Sequence, residues 1–552
     1  MNATELAAPN ADSPAPLNPR PRRPFAGVVV TCLGTLASRV LGLLRDIATA
    51  SLLGMSGSGV LDAFVVAMRV PNFFRRLVGE GALSAGYVPV LARAAEHGQR
   101  DAWKLASVVL LWLGCAATLV VVALELVCLL AWNLAPTGGD AALLAELAAT
   151  MLPFVVFVCL TAHLSSTLHV YGNFTLAALS PSILNISMLL AAWWLAPRFA
   201  SDNRGEALIL AASVSAAGVF QFIALWSALR RLGFRWDYDW TAARAGFLQT
   251  AKATLPMVLG LGVTQINTLL DSLVAWSLTA PNEGEKVIAW LGPDWQYPLT
   301  VGAASAIYYG ERLYQFPVGM LGVAVATVIF PLLARHAARG ERQRIADDLV
   351  AGLRLVLFFG LPASVGMVLL AEPISRLMLE RGEFTAHDAA RTARMIACYG
   401  AGAWAYCGIP VIVRGFYAMD DRRTPLRLGM LIVAMDFISN IALVWPLAEL
   451  GLAVGTTLTA LVQFFALVYL FARFRQPLAW NQLLSTIGRA VAGCLIMTVV
   501  VLLLLGQLPN LPGTSSQALR MGVPALAGLV TFLGFNVILG GQELKLLARP
   551  RF

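Results

Sequence analysis

Long apolar runs dominate this sequence and limit what it can fold into. Stretches of about 20 apolar residues are the length a helix needs to cross a bilayer, and they recur along the chain from residue 26 to residue 540. In lipid every backbone N–H and C=O must be paired within the segment, so such stretches become helices rather than loops or open strands. Composition agrees. Of 552 residues, 58% are hydrophobic and 13% charged, about half the charged fraction of a soluble domain.

Hydropathy gives about fourteen spans, an all-α integral membrane fold. The first covers 26–53, the second 59–91, the seventh 246–279, the eighth 300–334, and the last two 487–507 and 519–540. Residues 1–25 are polar and proline-rich and read as a disordered cytoplasmic tail, with no cleaved signal pattern. With the N-terminus in the cytoplasm, the inner segments hold roughly 24 Lys and Arg and the outer ones about 7. Arg230, Arg231 and Arg235 fall inside, as do Arg335, Arg339, Arg342 and Arg344, and Arg422, Arg423 and Arg427. This predicts a multi-pass protein with both termini cytoplasmic. The net charge of +9 is thereby assigned to topology and not to nucleic acid. The seven cysteines and five histidines are scattered, with no metal-ligand spacing.

An internal repeat organises the spans. Val88-Pro-Val-Leu-Ala-Arg-Ala-Ala-Glu-His-Gly98 ends the second, and Phe330-Pro-Leu-Leu-Ala-Arg-His-Ala-Ala-Arg-Gly340 ends the eighth. Six spans separate them, so both run in one direction. Unless the match is chance similarity between apolar segments, it predicts two six-helix lobes, 26–232 and 245–475, related by a pseudo-two-fold axis along the membrane normal. A terminal helix pair (484–540) and a cytoplasmic tail (541–552) follow.

Ionisable residues inside spans cost about 2.5–3.5 kcal/mol each on insertion scales, and here they concentrate in the first, second, seventh and eighth. The first carries Ser38, Arg39, Arg45 and Asp46 around Gly42. The second places Asp62, Arg69 and Arg76 seven residues apart, on one stripe. Pro71 removes a helix hydrogen bond beside that stripe and predicts a break facing a hydrated cavity. The eighth offers Glu311, Arg312 and Gln315, and the seventh Gln265, Asn267 and Asp271. A competing reading puts Arg45 and Asp46, or Arg75 and Arg76, at the interface as snorkelling or topology-setting groups. Arginines converging on a central cavity point to an anionic ligand, because guanidinium matches phosphate bidentately. There is no Walker A loop and no dinucleotide fingerprint.

These segments resemble the MurJ (MviN) lipid II flippases, of the multidrug/oligosaccharidyl-lipid/polysaccharide exporter superfamily. The resemblance rests on Ser38-Arg39 through Arg45-Asp46, Asp62-Ala-Phe, and Pro71-Asn72 with Arg75-Arg76 and Glu80-Gly81-Ala82. Arg312 to Pro317, Arg381 to Thr385 and Arg414 to Tyr417 add to it. It implies two lobes forming a V around a central cavity, with the last two helices as a groove for the lipid tail. It further implies movement of undecaprenyl-pyrophosphate-linked muropeptide across the inner membrane, for peptidoglycan synthesis, without enzymatic chemistry. By motif position Arg39, Arg45, Asp62, Arg75 and Arg312 match the family's cavity residues; Ser38, Arg76, Gln315 and Asn185 are further candidates. Gln315 departs from the glutamate common in the family. The implied partners are lipid II and membrane lipids, with transient association with cell-wall synthesis proteins as an open call. Some relatives bind a sodium ion, for which Asp271, Asp436, Asn440 and Thr456 are the loose candidates. Otherwise no cofactor is expected. An exporter of another polyprenyl-linked glycan, or a multidrug-type exporter, is the alternative on the same fold. A membrane-embedded glycosyltransferase would need an outer acidic or metal-binding loop, and a scaffold would leave the buried arginines unexplained.

Overall fold

The computed structural model describes residues 24–79, 82–135, 139–281, 287–288, 292–509, 513–541 and 543. The expected tail at 1–25 lies almost wholly outside these residues. So do Glu80 and Gly81 of the second-span motif, residues 282–286 and 289–291 between the seventh and eighth spans, and all but 541 and 543 of the C-terminal tail.

Among the described residues the apolar stretches fold as helices. Among the described residues ten helices are long and apolar enough to cross a membrane by themselves. The first span is the helix Pro24–Leu53, the second Val60–Phe74 continuing to Ala82–His97, the seventh Trp240–Ser277 and the eighth Ala303–Pro317 continuing to Val323–Ala338.

The second span does not break at Pro71 as expected. Pro71 sits inside the helix Val60–Phe74, and the irregularity comes one turn later, as a π-helical turn over Arg75–Gly79. Widening that turn takes up the register change left by the missing proline N–H without freeing a run of backbone. The eighth span repeats the device with a π turn at Val318–Gly322, after Pro317. Within one residue, the two π turns have the same offset as Pro89 and Pro331 of the sequence repeat. The repeat is therefore a feature of the backbone as well as of the letters.

The two halves share a core at one end and have separate cores at the other, where the seventh span packs on the helix Ala82–His97 so closely that a Cβ on Gly86 would meet Thr254. At the first end Leu53, Met55 and Leu61 pack in one cluster with Leu278, Ala303, Ile307, Phe384 and Tyr399. At the other end Leu83, Leu91, Trp103 and Leu229 form a core of the N-terminal half, while Ile329, Leu349, Ile412 and Phe471 form a separate one in the C-terminal half. Polar contacts finish the seal at the joined end. The Asp62 carboxylate accepts hydrogen bonds from the backbone N–H groups of Gly302 (2.7 Å) and Ser305 (2.8 Å) and from the Ser305 hydroxyl (2.5 Å). It caps the helix Ala303–Pro317, where the macrodipole favours an anion. Gly302 has φ 94°, and an added Cβ there would meet Arg391 and the Met55 backbone. Arg391 donates to Val301 O (2.7 Å) and pairs with Glu449 (2.5 Å), and Ser56 hydrogen-bonds Asp388 across the halves.

The terminal helices Trp480–Gln507 and Thr514–Ile538 pack against each other and, through Phe358, against the helix Arg342–Leu369. The fully buried Glu543 pins their far end by accepting from Thr486 (2.6 Å), Arg354 (2.8 Å) and Arg489 (2.8 Å). Their outward faces, with Leu484, Leu495, Leu503, Leu526 and Val530, are exposed and apolar, as lipid-facing helices are.

Candidate functional site

Between the halves, beneath the seal, lies a cleft of about 430 Å³. The second span supplies Arg69, Asn72, Phe73 and Arg76, the seventh Gln265, Thr268 and Leu269, and the eighth Tyr308, Glu311, Arg312 and Gln315. Arg69 and Arg76 are two helical turns apart and share the face that the heptad spacing predicts. Arg76 stands on the π turn and gives Nη1 to Gln265 Oε1 at 3.3 Å.

Asp46 is the hub behind this cleft. Its Oδ2 accepts from Arg312 Nε at 2.9 Å, and its Oδ1 from Arg45 at 2.5 and 3.0 Å and from the Tyr308 hydroxyl at 3.4 Å. Arg45 also reaches Asn185 Oδ1 at 3.2 Å, and Asn185 Nδ2 ties back to Ser38 O at 2.9 Å. This group borders a second cavity of about 280 Å³, lined by Arg45, Asp46, Thr49, Phe64, Met68 and the two tyrosines at 308 and 309. Arg69 pairs with Glu311 at 2.8 Å. Arg69 and Arg312 both stand over the Tyr308 ring, 5.1 and 5.9 Å from its centroid, where the ring's negative face attracts them. Four arginines (45, 69, 76 and 312) thus face two carboxylates, and the site carries an excess of positive charge at low dielectric, where an anion is held strongly.

The structure brings together Arg76, Arg312 and Gln315 on the cleft and places Arg45 on the smaller cavity behind it, with Asn185 and the Ser38 carbonyl joined to Arg45 by hydrogen bonds and not lining that cavity. It does not bring Asp62 there. Asp62 is two turns further along the stripe, at the seal, with all its hydrogen bonds spent on the eighth span. Arg75 points along its own helix, Nε to Asn72 Oδ1 at 3.3 Å, and does not line the cleft. Arg39 is exposed, its guanidinium against Gly319 on the π turn of the eighth span. Arg69, Glu311 and Asp46, which the sequence marks as ionisable residues within spans, join the site as well. The heptad stripe marked Arg69, and adjacency to Arg312 marked Glu311.

A second polar cluster joins the seventh span to two helices of the C-terminal half, Arg423–Leu447 and Glu449–Phe474. Asp436 accepts from Asn267 (2.8 Å), Asn440 (3.3 Å) and Thr459 (2.8 Å), and Asp271 accepts from Asn440 (2.8 Å). The side-chain oxygens of Asn267 and Asn440 are buried and have no hydrogen-bond partner. Thr456, a candidate from the sequence, turns its hydroxyl to Leu452 O on its own helix (3.0 Å). Thr459, one turn on, faces Asp436 instead, and Asn267 completes the group.

Comparison with known proteins decides the family. The lipid II flippase MurJ family model matches residues 49–520. This chain belongs to that family. A probable lipid II flippase MurJ of Vibrio cholerae is 31% identical over 533 residues, covering 93% of this chain and 96% of the relative. A solved MurJ structure in an inward closed conformation superposes with a TM-score of 0.73 at 23% identity, covering 93% of this chain and 98% of the other. An inward-facing multidrug-resistance MATE transporter gives 0.59 at 11% identity, over 84% and 98% of the chains. The two structural likenesses establish the fold, that of a multi-pass helical membrane protein of the MurJ type.

Proposed function

We propose that this protein flips lipid II from the cytoplasmic to the periplasmic leaflet of the inner membrane by alternating access, as a transporter for peptidoglycan synthesis. The observation that carries the site reading is the arginine-rich cleft lying between two halves that share a core at one end and have separate cores at the other. The excess of Lys and Arg in the inner loops supports an N-terminus in the cytoplasm. In that orientation the end with separate cores faces the cytoplasm, the side on which an outward flippase must collect its substrate, and the seal faces the periplasm. Arg69, Arg76 and Arg312 take the pyrophosphate, whose geometry suits guanidinium forks. Gln265, Thr268 and Gln315 offer hydrogen bonds to the first sugar. The polyprenyl tail stays in lipid along the terminal helix pair. Rocking of the lobes then opens the Asp62–Gly302 and Ser56–Asp388 contacts and closes the cytoplasmic side.

The membrane potential, negative inside, supplies a driving force of about 2.3 kcal/mol per charge per 100 mV. A headgroup with two negative charges is pushed outward by about twice that. In vesicles carrying this protein and labelled lipid II, collapsing an imposed potential is expected to slow transport several-fold. An unchanged rate would remove this coupling from the mechanism.

The cluster around Asp271 and Asp436 suits a sodium ion. Two buried carboxylates face each other's hydrogen-bond partners, and the orphaned oxygens of Asn267 and Asn440 are the neutral ligands a hard cation takes. Asp271, Asp436, Asn267, Asn440 and Thr459 would hold it, and it would supply charge compensation within the C-terminal half. Sodium chloride is expected to raise the Tm of the purified protein above that in equimolar choline chloride, by an amount that follows mass action. Asp436→Asn should remove the difference. Equal Tm values for the wild type in the two salts would argue against a sodium site.

A further inference from the structure

Two ion pairs cross between the halves beside the cleft, with opposite polarity. Adjacent residues of the eighth span supply one partner each. Glu311 accepts from Arg69 of the second span at 2.8 Å, and Arg312 donates to Asp46 of the first span at 2.9 Å. The Asp46 carboxylate has a second cation, Arg45, within its own span. Among the described residues Arg69 is the one cation within ion-pair distance of Glu311, and both side chains are at least nine-tenths buried. Arg69 also lines the cleft, next to Arg312 over the shared Tyr308 ring.

This arrangement has a consequence for any anion entering the cleft. A phosphate group reaching Arg69 competes with Glu311 for the same guanidinium fork. Arg69 exchanges one anion for another and keeps its charge compensated. Glu311 is left buried, unpaired and beside a second negative group. An attraction that tied the second span to the eighth becomes a repulsion between the eighth span and the occupied cleft. The seal made by Asp62 on Gly302 and Ser305 lies on these same two spans. A ligand shifts a conformational equilibrium only by its differential interaction with the two states, and this exchange provides such a difference.

We infer that the Arg69–Glu311 pair is an anion-released latch: it holds the lobes sealed when the cleft is empty, and the substrate's pyrophosphate frees it by taking Arg69. The inference rests on the flippase reading of the cleft and adds a regulatory role for Glu311, which positions Arg69 and does not itself bind the substrate.

The test uses the full chain in lipid nanodiscs, with geranyl pyrophosphate as the probe and calorimetric titration as the readout. Labelled lipid II transport in vesicles is measured in parallel. Glu311→Gln removes the competitor for Arg69, so the probe should bind at least tenfold more tightly while transport slows. Arg69→Gln should bind it at least tenfold more weakly. Glu311→Asp, which keeps the charge but shortens the reach, should fall between wild type and Glu311→Gln and serves if the glutamine variant does not fold. A pair that only held the structure together would weaken binding in both glutamine variants alike. Wild type that binds the probe, with Glu311→Gln and Glu311→Asp no tighter, overturns the latch and leaves the flippase reading standing. Wild type that binds no pyrophosphate at all overturns both.

Discussion

Arg312→Ala is expected to reduce lipid II transport by about two orders of magnitude while leaving the amount of protein in the membrane unchanged. The loss follows from removing a guanidinium that both lines the cleft and meets Asp46 at 2.9 Å. Charge-assisted hydrogen bonds contribute about 1.5–3 kcal/mol each, and a factor of ten is about 1.4 kcal/mol. Two such bonds to a pyrophosphate therefore account for the expected drop. The fold should survive because Asp46 keeps Arg45 at 2.5 Å, so no buried carboxylate is left alone. The Arg312 side chain is also 30% exposed to the cleft, which limits what its removal costs in packing. Arg312→Lys keeps the charge but not the planar fork and should recover part of the transport. Membrane abundance by immunoblot, together with transport of labelled lipid II, checks both halves of the expectation. A normally transporting Arg312→Ala would mean that the cleft is not the substrate site.

Asp62→Asn should separate opening of the seal from binding. Asp62 accepts three hydrogen bonds at the start of the helix Ala303–Pro317 and is 1% exposed. An asparagine in its place presents an amide NH₂ to donors that need an acceptor. Leaving such groups unsatisfied costs about 1–3 kcal/mol, and the charge that complements the helix N-terminus goes with it. Because Asp62 lies at the seal and not on the cleft, geranyl pyrophosphate should bind Asp62→Asn within about twofold of wild type, less than the 1.4 kcal/mol of a tenfold change. Transport should fall at least tenfold, and the Tm should drop. Weakened binding equal to that of Arg312→Ala would return Asp62 to the substrate site, where its motif position had put it.

That contrast marks what the sequence could and could not convey. The helices were legible because twenty-residue apolar runs have one backbone solution in lipid. The repeat was legible because its prolines and Leu-Ala-Arg keep their spacing. The cleft was legible in outline because charges are expensive in a bilayer: Arg69, Arg76 and Arg312 stood out for that reason. Spacing along one helix, however, fixes only the face on which a residue lies. It could not say that the stripe of Asp62, Arg69 and Arg76 leaves the cleft at its far end, since that depends on where Gly302 of a distant span comes to rest. The π turn at Arg75–Gly79 likewise rotates Arg75 off the cleft and keeps Arg76 on it, a change of register that letters do not encode. Thr456 and Thr459 lie one turn apart and are chemically alike; the crossing of their helix with Arg423–Leu447 selects Thr459 for Asp436. Partners contributed by remote segments, such as Asp46 for Arg312 and Glu311 for Arg69, became visible only once the two halves were in place.

The most direct test of the account is replacement of a host's own flippase. Cells depleted of it would express this protein or its Arg312→Ala variant, and exposure of lipid II on the periplasmic face would be followed by labelling from outside. The account predicts that wild type restores exposure and growth and that the variant, present at equal abundance, restores neither. A well-inserted wild type that leaves lipid II on the cytoplasmic face would contradict it, and the cargo would then be sought among other polyprenyl-linked glycans carried by the same cleft.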